Sequence, residues 1–96
     1  VSRRDSVLVT HRDAIRAAAA RNKCRAIALV GSVARGDDTD DSDVDFVADF
    51  DRGVTLFDMC GLQAALEDLL GADVDVVPRS SVKKGCQRIL DDAIEL

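Results

Sequence analysis

A lone histidine, an odd number of cysteines and a deficit of basic residues close off several functions before any motif in this chain is considered. His11 lies between Leu8 and Ile15 in an amphipathic stretch and reads as a structural histidine, partly buried or at the surface. Cys24, Cys60 and Cys86 are widely spaced and have no Cys-x-x-Cys or neighbouring histidine, so they read as buried or partly buried free thiols in a reducing cytoplasm. Thirteen Lys and Arg against 18 Asp and Glu, with a pI near 4.7, argue against long nucleic acid as the main partner, because binding a duplex needs a basic surface to displace counterions. No long apolar segment is present; neither secretion nor membrane insertion is expected, and the cytoplasm is the expected location. The 96 residues, 47% hydrophobic and 32% charged, suit one modest core, so 1–96 is expected to form one domain with no internal repeat or disordered linker.

The chemistry concentrates between Gly31 and Asp45, directly after the apolar run 26–30. Gly31 and Ser32 leave a buried strand with a permissive backbone and a hydroxyl, a combination that lets main-chain N–H groups close around a phosphate. Asp43 and Asp45 stand two apart ahead of Phe46 and Val47, and a strand period of two puts both carboxylates on one face. Like charges so placed repel, and a cation, Mg²⁺ by expectation, would neutralise them.

Two look-alike motifs fail on their next residues. Gly31 and Gly36 have a P-loop's glycine spacing, but Asp37 and Asp38 stand where Lys and Ser/Thr are needed. A calcium loop begun at Asp41 would place Phe46 at its obligatory glycine and Arg52 at its terminal Glu. For Asp37, Asp38, Asp40 and Asp41 a solvated acidic loop is an equally good reading.

With Gly-Ser, an Ala-Arg-Gly turn, about ten residues between Ser32 and Asp43, and Asp-x-Asp followed by an apolar strand, the chain resembles the minimal nucleotidyltransferases of the DNA polymerase β superfamily. In particular it is similar to the MntA-type antitoxins that pair with HEPN toxins. The resemblance implies a third carboxylate on a later strand, and the form Val-Asp-apolar-Val aligns with Val74-Asp75-Val76-Val77. Asp73 shares the parity of Asp75 and stays an alternative.

A helix is expected over about 6–21, capped by Asp5 or Ser6, with Leu8, Ile15, Ala18 and Ala19 as its apolar stripe. Strands are expected at 26–30, about 43–50 and 73–77, the second followed by a turn at Asp51-Arg52-Gly53 and the third ended by Pro78. Thr55 and Asp58 form a capping box for a helix that Gly71 stops, burying Leu56, Met59, Leu66, Leu69 and Leu70 on one side. Val82, Cys86, Ile89, Leu90 and Ala93 mark a last helix. The order α-β-β-α-β-α agrees with the α/β (α+β) fold the resemblance implies, a small mixed sheet with helices on one face, the palm core of the polymerase β-like transferases.

The expected chemistry is Mg²⁺-dependent nucleotidyl transfer. Asp43, Asp45 and Asp75 would hold two Mg²⁺ ions, with Asp75 as ligand or base on the nucleophile side. Ser32 and N–H groups near Gly31 would bind the phosphates that leave as pyrophosphate. Arg35 would either neutralise phosphate or brace the acidic loop through Asp37 or Asp41. Arg79, Lys83, Lys84 and Arg88 would form a solvated face or help hold nucleotide or an acidic partner. The resemblance implies a protein adenylyltransferase that moves AMP from ATP to a tyrosine hydroxyl of a HEPN-type ribonuclease toxin. The alternatives are a non-catalytic antitoxin that occludes its toxin and a small-molecule nucleotidyltransferase, although the latter usually carries an added acceptor-binding domain.

Overall fold

The computed structural model of the chain describes residues 2–39, 41–82 and 88–96. Asp40, Lys83, Lys84 and Cys86, with the side chains of Arg88 and Ile89, lie outside the described residues. The first helix begins earlier than its sequence suggests: α1 is Arg3–Asp5, capped by Ser2, whose hydroxyl accepts the Asp5 N–H at 3.1 Å. A wide π-helical turn, Ser6–Thr10, follows, and α2 runs Arg12–Arg21. At about 100° per residue, Val7 and Ile15 would stand roughly 80° apart in an unbroken α-helix, and the extra residue of the wide turn cuts this to roughly 20°. Val7, Ile15 and Ala18 can then all be buried on one side.

Strand β1, Cys24–Val30, leads into α3, Gly31–Arg35, a single helical turn where a loop was expected, closed by Gly36 in the left-handed conformation. Strand β2 is Val44–Phe50, α4 is Leu56–Leu70 and β3 is Val74–Pro78. After a 3₁₀ turn at Arg79–Ser81, the expected last helix is described only as α5, Arg88–Asp91, and a strand β4, Ile94–Glu95, follows it. Two residues are too few for alternation to reveal a strand, so β4 escaped the sequence pattern.

The four-stranded sheet has the order β3-β2-β1-β4. Strands β2 and β3 are parallel, joined through α4, while β1 is antiparallel to both β2 and β4. Ile15 and Ala18 of α2 and Leu62 and Leu66 of α4 pack with Ile27, Leu29, Val44, Phe46 and Val74 in one core on the helical face. Ala28, Val30 and Val47 are buried as well, outside that cluster, so β1 and β2 are covered on both faces. Strands β3 and β4 lie at opposite edges, and Arg79, just after β3, bonds to Glu95 of β4 at 2.8 Å.

The expected apolar side of α4 is partly wrong. Leu66 is buried, but Leu56, at the start of the expected stripe, is 75% exposed, and Phe57 beside it is 89% exposed. Cys24 is buried, and burial pushes its thiol pKa up; Cys60 is exposed, contrary to expectation. Both halves of the capping box form: the Thr55 hydroxyl accepts from the Asp58 N–H at 3.2 Å, and the Asp58 carboxylate accepts from the Thr55 N–H at 3.0 Å. Thr55→Ala is expected to cost about 1 kcal/mol in urea denaturation, the usual worth of an N-cap, and to leave the sheet unchanged.

Candidate active site

Pairing register decides which side chains meet on the face away from the helices. Residues opposite one another in a sheet share a face, so Asp75, Asp45 and Val30 form one row across β3, β2 and β1, and Val77, Val47 and Ala28 form the next. Asp45 and Asp75 are thus direct neighbours on parallel strands. Asp43, exposed, stands just before β2 on the same parity as Asp45.

Gly31 follows Val30 and lies against Asp45. Its φ is +77°, and a Cβ placed there would come 2.7 Å from Asp45 Oδ2 and 3.4 Å from Asp45 Cβ. Only glycine allows both the turn from β1 into α3 and so close an approach of backbone to carboxylate. Burial raises the Asp45 pKa above the ordinary carboxylate range, the charges of Asp75 and then Asp43 raise it further, and Arg35 opposes them. A cleft of about 250 Å³ opens beside it, lined by Val30, Gly31, Asp45, Val47 and Val77.

Ser32, half-buried, is the second residue of α3. Arg35, at the end of the same turn, is exposed and braces the acidic segment: its Nε lies 3.2 Å from Asp37 and its Nη1 3.6 Å from Asp92. Asp37 is one of its two expected partners; Asp92 is a partner that only folding supplies. The hydrogen bond to Asp37 raises the Arg35 pKa. Asp73 is separated from Asp45 by register: its carbonyl accepts the Val44 N–H at 2.9 Å, and it lines a different cleft with Asp43, Glu67 and Arg3. Of the two candidates for a third carboxylate, Asp75 is the one whose charge acts on Asp45. Among the described residues, no three acidic, histidine or cysteine side chains converge into a formed metal cluster.

Replacing Gly31 separates backbone strain from carboxylate displacement. Gly31→Ala and Gly36→Ala meet the same left-handed backbone, φ +77° and +79°, but nothing lies within 4 Å of a Cβ at Gly36. Each is expected to lose about 1–2 kcal/mol of stability. Only Gly31→Ala should also lose activity beyond what its unfolding explains, since its new Cβ pushes the Asp45 carboxylate away. Urea denaturation and an ATP-dependent transfer assay on the same preparations check this.

Residues 12–96 match the nucleotidyltransferase domain family, and the chain belongs to it. Within that family its relatives are of the minimal, adenylylating kind. Protein adenylyltransferase MntA of Thermococcus cleftensis is 40% identical over 81 residues, which span 84% of this chain and 79% of the relative. A solved structure of a provisionally assigned minimal nucleotidyltransferase superposes with a TM-score of 0.85 at 35% identity, covering 100% of this chain and 97% of the other. A variant of the MntA–HpeT toxin–antitoxin complex superposes with a TM-score of 0.71 at 26% identity, covering 88% and 70% respectively. The likeness agrees with the mixed sheet and one-sided helices described above. Among the described residues, no helix is long and apolar enough to cross a membrane.

Proposed function

We propose that this chain is an Mg²⁺-dependent protein adenylyltransferase that acts as an antitoxin, moving AMP from ATP to a tyrosine hydroxyl of a cognate HEPN-type toxin. The observation that carries the reading is the row Asp75–Asp45 with the Gly31 backbone pressed against Asp45 and Asp43 two residues away. The donor set fits a hard divalent cation: it is all oxygen, and it gathers Asp75 and Asp43 about Asp45, whose pKa burial raises first and their charges raise further. Asp43, Asp45 and Asp75 would hold Mg²⁺, which when bound offsets the triphosphate charge and makes the acceptor hydroxyl more acidic. Ser32 and the N–H groups at the start of α3 hold the β- and γ-phosphates, and the Gly31 turn keeps Asp45 beside them. Exposed Asp75 faces the incoming acceptor and takes its proton. The acceptor oxygen bonds to the α-phosphorus, the bond from that phosphorus to the bridging oxygen breaks, and pyrophosphate leaves.

A protein acceptor is supported by the adenylyltransferase relative and by the toxin–antitoxin structure. A net charge of -5 suits a basic, RNA-cutting partner better than RNA itself. AMP on a tyrosine near the toxin's cutting residues would add bulk and negative charge, so a small amount of antitoxin could silence many toxin molecules. Coexpression with the toxin encoded beside it, followed by mass spectrometry, should show AMP on the toxin with this chain and none with the Asp43→Asn, Asp45→Asn variant. An unmodified toxin neutralised equally well by that variant would replace transfer with occlusion.

A further inference from the structure

Asp43 is exposed and sits at the end of a long acidic connection, yet both of its neighbours are tied down. On one side the Val44 N–H bonds to the Asp73 carbonyl at 2.9 Å. On the other, Ser42 closes a tight turn with Thr39: Ser42 N–H to the Thr39 carbonyl at 3.0 Å, and Thr39 N–H to the Ser42 hydroxyl at 2.9 Å. Arg3 locks that turn from a distant part of the chain. Its Nη1 donates to the Ser42 carbonyl at 2.5 Å and to the Thr39 carbonyl at 3.3 Å.

The electrostatics agree with the geometry. Arg3 is half-buried, and among the described residues it is the basic side chain in a cleft of about 630 Å³ that Asp41, Asp43, Glu67 and Asp73 also line. Without a cation there, repulsion among these carboxylates would drive the connection outward and carry Asp43 away from Asp45. A guanidinium suits the task because the two N–H groups on its Nη1, fixed in the guanidinium plane, can serve two carbonyls at once. Arg4, the next residue, is exposed, and it is Arg3 that makes these contacts.

We propose that Arg3 is a positioning residue for Asp43: by clamping the Thr39–Ser42 turn it holds the Asp43 carboxylate where it completes the metal-binding set with Asp45 and Asp75. The role rests on the reading of Asp43 given under Proposed function. Arg3 acts through the backbone of the turn, so its loss is felt as a weaker and looser Asp43 and not as a missing ligand.

Two measurements on the full chain test this, neither needing the acceptor. Amide hydrogen exchange reads the turn, and titration with Mn²⁺ in the presence of AMP-PNP, followed by the spin resonance of free Mn²⁺, reads the carboxylates. In Arg3→Ala, exchange of the Thr39 and Ser42 amides should quicken on the order of tenfold, the worth of a hydrogen bond from a charged donor, while exchange in β1 stays as it was. The Mn²⁺ half-saturation point should rise by a similar factor. Arg3→Lys should recover part of both, as an ammonium keeps the charge but not the fixed planar N–H directions, and Arg3→Gln should recover less. A merely structural role would quicken exchange in β1 together with the turn and leave the Mn²⁺ titration unmoved, which would overturn the proposal. Should Arg3→Ala not fold, the order Arg above Lys above Gln carries the same test, and no difference among the three overturns it. Asp43→Asn in the same titration separates the two levels. If it weakens Mn²⁺ binding while the Arg3 variants do not, positioning fails and the reading of Asp43 stands; if it binds as the parent does, the reading of Asp43 fails and the role of Arg3 falls with it.

Discussion

The Asp43→Asn, Asp45→Asn double variant is expected to lose AMP transfer by on the order of 10³-fold or more, while its metal-free fold stays as stable as the parent or becomes more so. Chemistry and stability should part here because the group proposed to serve transfer is held in an unfavourable charge state. Asp45 is half-buried beside Asp75 and Asp43, and burial followed by those charges raises its pKa. A raised carboxylate pKa means that the folded state prefers the protonated form. The stability contributed by that preference is therefore full below the unfolded pKa, about 3.9, and is lost as pH rises through the folded value. At neutral pH without metal, ionised Asp45 is a net cost, and a single Asp45→Asn change should raise the melting temperature. Relief from burying a charge comes first, and relieving like charges opposite each other on adjacent strands adds roughly 0.2–1 kcal/mol. The difference between variant and parent should be largest near neutrality and disappear below about pH 4. Thermal melts with chelator across that range read the difference curve, which also cancels carboxylates common to both, such as Asp58, whose pKa is lowered by the Thr55 N–H. Transfer at parental rate by the double variant would remove the carboxylate mechanism altogether.

The next largest effect expected is a split between two aspartates that share a strand parity. Asp75→Ala should abolish transfer, by on the order of 10²-fold or more, and Asp73→Ala should leave most of it. Register is the reason. Asp75 pairs with Asp45, whereas Asp73 precedes β3, gives its carbonyl to the Val44 N–H and lines the cleft that holds Arg3 and Glu67. Initial rates of AMP incorporation into the toxin proposed as acceptor, with folding checked by circular dichroism, decide it. The opposite split would mean that β3 is read two residues out of place.

Much of this arrangement was legible before folding, and the limits have physical reasons. The runs Ala26 to Val30 and Val44 to Val47 show themselves as strands because both are buried on both faces, and apolar continuity in a short segment survives in sequence. The capping box and the stop at Gly71 are local chemistry and hold as expected. The wide turn at Ser6–Thr10 left no such mark, because it is set by the need to bring Val7 and Ile15 onto one face of a helix pair. Leu56 misled for the opposite reason: helical spacing makes a stripe, but spacing does not say how far along the helix that stripe is covered. Arg35 was readable as a brace for Asp37, a neighbour in sequence, and not for Asp92, which lies far along the chain, just before the strand that pairs with β1.

The sequence by itself determined the chemistry available to this protein: a glycine and serine at a strand exit, an Asp-x-Asp on one strand face, and a later strand with an aspartate at the matching parity. Those features depend on residue type and a period of two, and both are local. Tertiary structure alone decided which groups meet. It chose the neighbour of Asp45 through the parallel register of β2 and β3, put the Gly31 backbone against that carboxylate, and brought Arg3 from the start of the chain to the turn before Asp43. Register and long-range closure come from packing the helices on a single sheet face, and that packing is settled by the whole core at once and not by any segment of it.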